Sequence, residues 1–368
     1  MEPEDLRASI PVCERGIYFN TGASGPAPRH VIEATTDFLE HHESVAPVEE
    51  GAYPAAYETF DETRNVVADF VGADSREIAL TNSTADGIAR VAAAVDWSSG
   101  DTVVRTDLEH SAGVIPWWNL RERGVDVRVL ETDAGRVDLD ALTDAVADPD
   151  TRLLCLNSIT WNYGTRLPIA EIVEIAHDHD TLVLVDAVQS PGQVPVDVRE
   201  WGADFVAAAG HKWLLGPWGA GFLYVDREVA DGLTPGVAGY RSVVDPGAEE
   251  LELAAGAPRL EVGTTSPAPY RGLIAAIDTV EALGYDTITA HIERLTDRLK
   301  VGLGDRLLSP HAYESGLVTF TADDPEGLVD RLADEGIHIR SLPYPDAVRA
   351  SVHVFNTAGD VDALLDAL

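Results

Sequence analysis

Lysine is nearly missing from this sequence. Of the 26 basic residues 24 are Arg, and only Lys212 and Lys300 carry an ammonium group, against 63 Asp and Glu and a formal net charge of -37. Depletion on that scale is a property of the whole surface. Dense carboxylates hold water and ions, and molar salt screens their mutual repulsion to roughly 3 Å. The composition therefore predicts adaptation to high salt. The acids are spread along the chain with no tail-like block, which argues against a basic or cationic partner and against nucleic acid, whose phosphates need clustered Lys and Arg. Cysteine is as scarce: Cys13 and Cys155 stand far apart with no CxxC, which argues against both a disulfide framework and a cysteine-rich metal site. No uninterrupted apolar run approaches the ~20 residues of a membrane span, and the opening MEPEDLRASIPV is acidic where a signal peptide is basic. A cytoplasmic protein with no membrane partner is expected. Internal repeats and low-complexity tracts are absent too.

What the chain does contain is 368 residues, 45% of them hydrophobic, room for about two domains at ~150 residues each. From about residue 77 onward, strand-length apolar runs alternate with helical patterns: EIALT, ADGIARVAAAV, TVVRT, GVIPWWNLRERG, VDVRVL, LDALTDAVA, RLLCLN, IAEIVEIAHDHD, TLVLVD. That rhythm predicts an α/β fold with a mostly parallel sheet flanked by helices. TLVLVD is apolar except at its ends, as a strand buried on both faces should be, and it closes on Asp186 at the carboxyl edge where such sheets bind ligands. A stretch rich in Gly, Pro and Ala at 234–258 precedes a C-terminal part with its own helices and strands. The expected division is a large domain over 16–255 and a smaller α+β domain over 256–368 joined by 1–15.

One of the two lysines lies in GHKWLLGPWGAGFLYV, beside Gly-rich sequence, and three chemistries need a lysine in a sheet protein. A phosphate-binding GxxxxGK[ST] loop fails, because FVAAAGHKW lacks the first glycine and places Trp213 after the lysine. A dinucleotide GxGxxG fails on spacing. The third is imine formation between Lys212 and the aldehyde of pyridoxal phosphate, whose ring accepts electrons from a carbanion. That chemistry needs a carboxylate against the pyridine nitrogen, and Asp186 is placed for it, with Gln189 able to donate to the phenolic oxygen. It needs a phosphate site at a helix start, and Ser83 and Thr84 in TNSTADG lie between a strand and a helix. An aromatic ring over the cofactor is available in His110. Each of these side chains has a plainer use: Asp186, His110, Ser83 and Thr84 are all residue types that cap helices. His41 and His42 read as solvated, Trp117 and Trp118 as core or dimer contacts, and Lys300 as an exposed position near a helix end.

Taken in order and spacing, LTNSTADG, LEHSAGVIPW, VDAVQSPGQVPVDVREWGADFVAAAGHKWLLGP and LEVGTTS resemble the class V aminotransferase family of pyridoxal-phosphate enzymes, which includes the cysteine desulfurases. The resemblance implies a fold-type-I enzyme in which Lys212 carries the imine, Asp186 pairs with the pyridinium, Gln189 donates to the phenolic oxygen and His110 stacks on the ring. It further implies Thr84 and His211 as phosphate ligands and a homodimer in which Thr264 reaches the phosphate of the neighbouring subunit. Two positions depart from the family pattern. Ala209 replaces a serine that would bind phosphate, a loss that Thr264, Thr265 or Ser83 is placed to offset, and Trp161 stands where desulfurases carry an asparagine.

An amino-acid carboxylate is best held by a planar guanidinium fork. Arg349 resembles the family arginine with that role, and Arg340 faces either a second acid group or the loop between the two. Persulfide-type desulfurases carry a mobile cysteine shortly before this arginine, whereas residues 341–348 contain none. The remaining route is removal of the α-proton by Lys212 and expulsion of a β-sulfur group, leaving pyruvate and ammonia, as in the cysteine/cystine C–S lyase branch that RSLPYPDAVRASVHVF resembles. The alternatives are an aminotransferase or epimerase, a persulfide-type desulfurase, and a non-catalytic binding protein.

Overall fold

Side-chain alternation along the strands divides the core in two. The computed structural model describes residues 1–368, with strands β1 (Ile17–Tyr18), β2 (Ile78–Thr81), β3 (Thr102–Thr106), β4 (Asp126–Leu130), β5 (Thr151–Asn157), β6 (Leu182–Asp186), β7 (Phe205–Ala209), β8 (Gly221–Val225), β9 (Leu317–Phe320), β10 (Ile337–His338), β11 (Arg340–Pro343) and β12 (Asp346–Ser351). In β5 to β7, Leu154, Leu156, Val183, Val185, Val206 and Ala208 enter one core, while Leu153, Cys155, Leu184, Phe205 and Ala207 enter the other. Period-2 geometry sends neighbours to opposite faces, and helices on both faces make every position apolar.

Seven strands form one sheet in the order β2-β8-β7-β6-β5-β3-β4. β3 to β7 pair in parallel, and β8 runs antiparallel between β7 and β2. The reversal at β8 follows from its connection. The segment from Gly210 to Ala220 contains no helix to carry the chain back across the sheet, so it turns at the carboxyl edge and presents His211 and Lys212 there. Strand order also switches direction between β3 and β5, the place where open α/β sheets leave a crevice.

The second sheet, β11-β12-β9, is antiparallel and packs with the helices Tyr285–Leu303, Pro325–Asp334 and Ala358–Ala367 around Leu295, Leu299, Val318, Phe320 and Val348. The N-terminal strand β1 pairs with β10, and Phe19 joins this same core. The helix Ala268–Leu283 lies beyond the expected division at 255/256, yet Tyr270, Leu273 and Ile277 on its apolar face belong to the core of the large sheet. Two helices, Arg29–Ser44 and Ala52–Val71, precede the α/β rhythm and pack with it. No helix is long and apolar enough to cross a membrane.

Lys300 corrects a sequence expectation, since it is buried rather than exposed. It follows Leu299 on the face of helix Tyr285–Leu303 that also buries Thr296, and its Nζ donates to the Ala312 carbonyl at 2.8 Å. Its long stem lies in the core while the ammonium reaches a backbone acceptor.

Candidate active site

The carboxyl ends of β2, β3, β5, β6 and β7 deliver Ser83 and Thr84, His110, Asn157, Asp186, and His211 with Lys212 to one cavity of about 300 Å³. The hairpin of the small sheet closes it from the other side with Arg340 and Arg349, which face each other in register across β11 and β12.

Burial dominates the electrostatics. It pulls the Lys212 ammonium down to about 8, opposed by Asp186 and reinforced by the charges of Arg349 and Arg340. Burial raises the Asp186 carboxyl above its ordinary value, against one hydrogen bond from the Val188 N–H at 3.0 Å and the pull of Lys212. No helix follows Asp186 for it to cap, because the next one begins at Val198. Partial desolvation and nearby Lys212 hold His110 below its usual range, and its Nδ1 accepts from the Ala112 N–H at 3.3 Å. Its plane stands edge-on to Trp161 at 5.8 Å between centroids. His211 is depressed to about 4 by burial and by Lys212, and leans on Trp218.

The two hydroxyls at the helix start divide their roles. Ser83 is the N-cap of helix Thr84–Ala94, its Oγ accepting from the Asp86 N–H at 3.2 Å. Thr84 is thereby free of capping, and its buried Oγ1 has no partner. An unpaired hydroxyl beside a helix N-terminus is an anion site in waiting.

Arg349 is fully buried. Its Nη1 donates to the Trp161 carbonyl, while Nε and Nη2 have no partner. Burial and the charge of Arg340 lower it to about 9, so the unpaired edge of the fork is a strong attractor for a carboxylate. Gln189 completes the wall, with Nε2 donating to the Gly22 carbonyl at 3.1 Å.

Thr264 is the expected site residue that the fold does not bring into this cavity. It lies in an adjoining groove with Asn82 and Thr265, its Oγ1 2.6 Å from the Tyr240 hydroxyl, and Thr265 donates to Asn82 Oδ1 at 3.0 Å. Neither cysteine lines the cavity. Cys155 is buried inside β5 and burial pushes its thiol well up, while Cys13 lies in the N-terminal turn Pro11–Glu14.

Several contributors went unread in the sequence. Gly22 is one: a Cβ there would come within 2.7 Å of Leu317 Cδ2 and 2.9 Å of Arg349 Nη2, so glycine lets the N-terminal segment pass without displacing the guanidinium. Glu109 is another. Its Oε1 accepts from Thr106 Oγ1 at 2.7 Å and Asn157 Nδ2 at 3.2 Å, and burial pushes the carboxyl up to about 8. The LEH tripeptide that contains it points to the histidine and carries no mark that this carboxyl is buried.

Together the residues offer an amine of low basicity facing a buried carboxylate, an anion site at a helix start and an unpaired guanidinium fork. Comparison with known proteins agrees with this chemistry. Residues 17–364 match the family model described as aminotransferase class-V. A probable cysteine desulfurase of Methanothermobacter thermautotrophicus is 36% identical over 100% of this chain and 98% of its own. Among solved structures, the cystine C–S lyase C-DES in complex with its reaction product cysteine persulfide superposes with a TM-score of 0.90 at 29% identity, covering 97% of this chain and 98% of the other. A variant of C-DES with glycine covalently linked to the PLP cofactor gives a TM-score of 0.92 at 29% identity, over 98% of both chains.

Proposed function

The chain belongs to the class V aminotransferase family, and from this premise we infer that it is a pyridoxal-phosphate enzyme that removes the sulfur group of cysteine or cystine by β-elimination. The residues present fit the cofactor. Thr84 Oγ1 and the N–H groups of its helix suit the phosphate, with His211 beside them, and Ser83 keeps its hydroxyl proton to donate where Ala209 has none to give. Asp186, buried and bonded on one side only, suits the pyridine nitrogen, and His110 one face of the ring.

When bound, pyridoxal phosphate supplies an aldehyde for the substrate amine and a ring that accepts the electron pair released at the α-carbon. Arg349 holds the α-carboxylate on its unpaired Nε and Nη2. Lys212 Nζ takes the α-proton, which its lowered basicity allows near neutral pH, and the resulting ammonium returns a proton to the departing sulfur. Asp186 would hold the pyridine nitrogen in its protonated form. A homodimer, with Thr264 reaching across to the partner's phosphate, is part of the same reading.

The observation that carries elimination over persulfide transfer is the lack of a thiol at the cavity. The segment between Arg340 and Arg349 is a tight hairpin, β11 ending at Pro343 and β12 opening at Asp346, with no length of loop to bring a sulfur in. The likeness to C-DES supports this, whereas relatives named cysteine desulfurase represent the competing reaction. The test is a variant with both Cys13 and Cys155 changed to alanine, incubated with cystine or cysteine. Near-normal pyruvate production without an added keto acid is expected. A folded, yellow variant without turnover refutes elimination in favour of a displaced catalytic thiol, and a requirement for keto acid makes the protein a transaminase.

A further inference from the structure

Trp213 follows Lys212 and is fully buried. Its indole Nε1–H donates to Gln189 Oε1 at 2.6 Å, while Gln189 Nε2 donates to the Gly22 carbonyl at 3.1 Å. An indole can only donate and a carbonyl can only accept, so the two contacts independently demand the same amide orientation. The oxygen must point to Trp213 and the NH₂ to Gly22 and the cavity. Gly22 uses one of the two N–H bonds, and the second is left for whatever occupies the cavity that Gln189 lines.

Trp213 is itself held firmly. Its ring stacks on His353 at 5.6 Å with 21° between planes, and its carbonyl accepts from His353 Nε2 at 2.9 Å. His353 stacks in turn on Phe355 at 5.2 Å. A Cβ on Gly316 would meet the indole at 2.8 Å, so the ring fills its slot. The clamp on Trp213 thus comes from the segment that leaves β12, the strand carrying Arg349.

We propose that Trp213 is a positioning residue that locks the Gln189 amide so that an N–H, and not the carbonyl oxygen, meets the phenolic oxygen of the cofactor. This rests on the pyridoxal-phosphate reading above. Phenylalanine at 213 keeps an aromatic ring against His353 but leaves Gln189 Oε1 a buried acceptor with no donor, so the amide keeps only its bond to the Gly22 carbonyl and swings on that one anchor, taking its second N–H out of line with the cavity. Without that N–H, more negative charge stays on the phenolic group and the proton it shares is held more tightly. The acid–base midpoint of the cofactor's visible absorption then moves up by about one pH unit. Asp186, Lys212, His211, His110 and Glu109 also titrate around this site, and all are unchanged in the variant.

The test is a spectral titration of the reconstituted wild type, Trp213→Phe, Gln189→Ala and the double variant. Trp213→Phe is expected to shift the midpoint by about one unit, Gln189→Ala comparably, and the double variant no further than Gln189→Ala alone. No shift in Trp213→Phe, or a full further shift in the Gln189→Ala background, overturns the proposal, because a merely structural tryptophan would act in either background. A wild type that takes up no cofactor overturns the earlier reading instead. A second measurement needs neither the Phe variant nor cofactor. In indole ¹⁵N spectra, one of the 7 tryptophan signals should resist exchange and move in Gln189→Ala; if none moves, the hydrogen bond does not exist and the proposal falls.

Discussion

Lys300 Nζ is engaged by the Ala312 carbonyl, whereas Lys212 Nζ faces Asp186 and two guanidinium groups across an open cavity. The pair is therefore a comparison within one molecule. Borohydride reduction of the cofactor-loaded protein should place the pyridoxyl group on Lys212, read by peptide mass spectrometry; an adduct on Lys300 would exclude the assigned chemistry. The lowered basicity of Lys212 also fixes the direction of a pH effect. A base must be neutral to accept a proton, and Lys212 is neutral above about 8 and charged below. Turnover should rise with pH, level off near 8, and fall about tenfold per unit well below it. A flat profile between pH 6 and 9 would remove Lys212 as the base. The sequence made Lys212 legible through its rarity and Asp186 through its place at the end of an apolar run. Glu109 was illegible because a buried carboxyl looks the same in sequence as any of the 63 acids.

At the level of elements, the strands with uniform apolar character were readable: RLLCLN and TLVLVD became β5 and β6. Sheet burial on both faces writes itself into consecutive residues. Helical phase is harder to read, and Lys300 was misplaced because its face is set by where the helix packs rather than by local pattern. The hydroxyl roles at the start of helix Thr84–Ala94 were likewise hidden, since Ser83 and Thr84 are both capping types. Their separation in the fold yields opposite expectations. Thr84→Val, which swaps an unpaired hydroxyl for a methyl, should weaken cofactor binding about tenfold with little effect on the melting temperature of the cofactor-free protein. Ser83→Ala, besides removing one phosphate donor, should lower that melting temperature, losing a cap worth ~1 kcal/mol. Unchanged cofactor affinity in Thr84→Val would leave the phosphate without its assigned ligand.

For the whole molecule, 63 acidic and 26 basic residues mean that most exposed carboxylates find no cation, and pairs such as Arg298–Asp362 and Arg331–Glu335 are surface pairs of small individual value. Self-repulsion is left for the solvent to screen. Activity and far-ultraviolet dichroism should both decline on dialysis into dilute buffer and recover on return to molar salt; full activity in dilute buffer would refute the high-salt expectation while leaving the active site untouched. The fold also has an order of assembly written into it. β1 near the start of the chain finds its partner in β10, Asn20 bridges to Ser351, and Arg7 grips Asp360 at 2.7 Å. On the ribosome these early residues must wait while roughly 300 more are made, ~15–60 s at ~5–20 residues per second. The lysine loop can fold against its sheet well before the guanidinium that closes the cavity exists. A nascent chain of this protein is thus an unfinished vessel with its bottom formed and its lid still untranslated, and Phe19 waits for the core that the last strand completes.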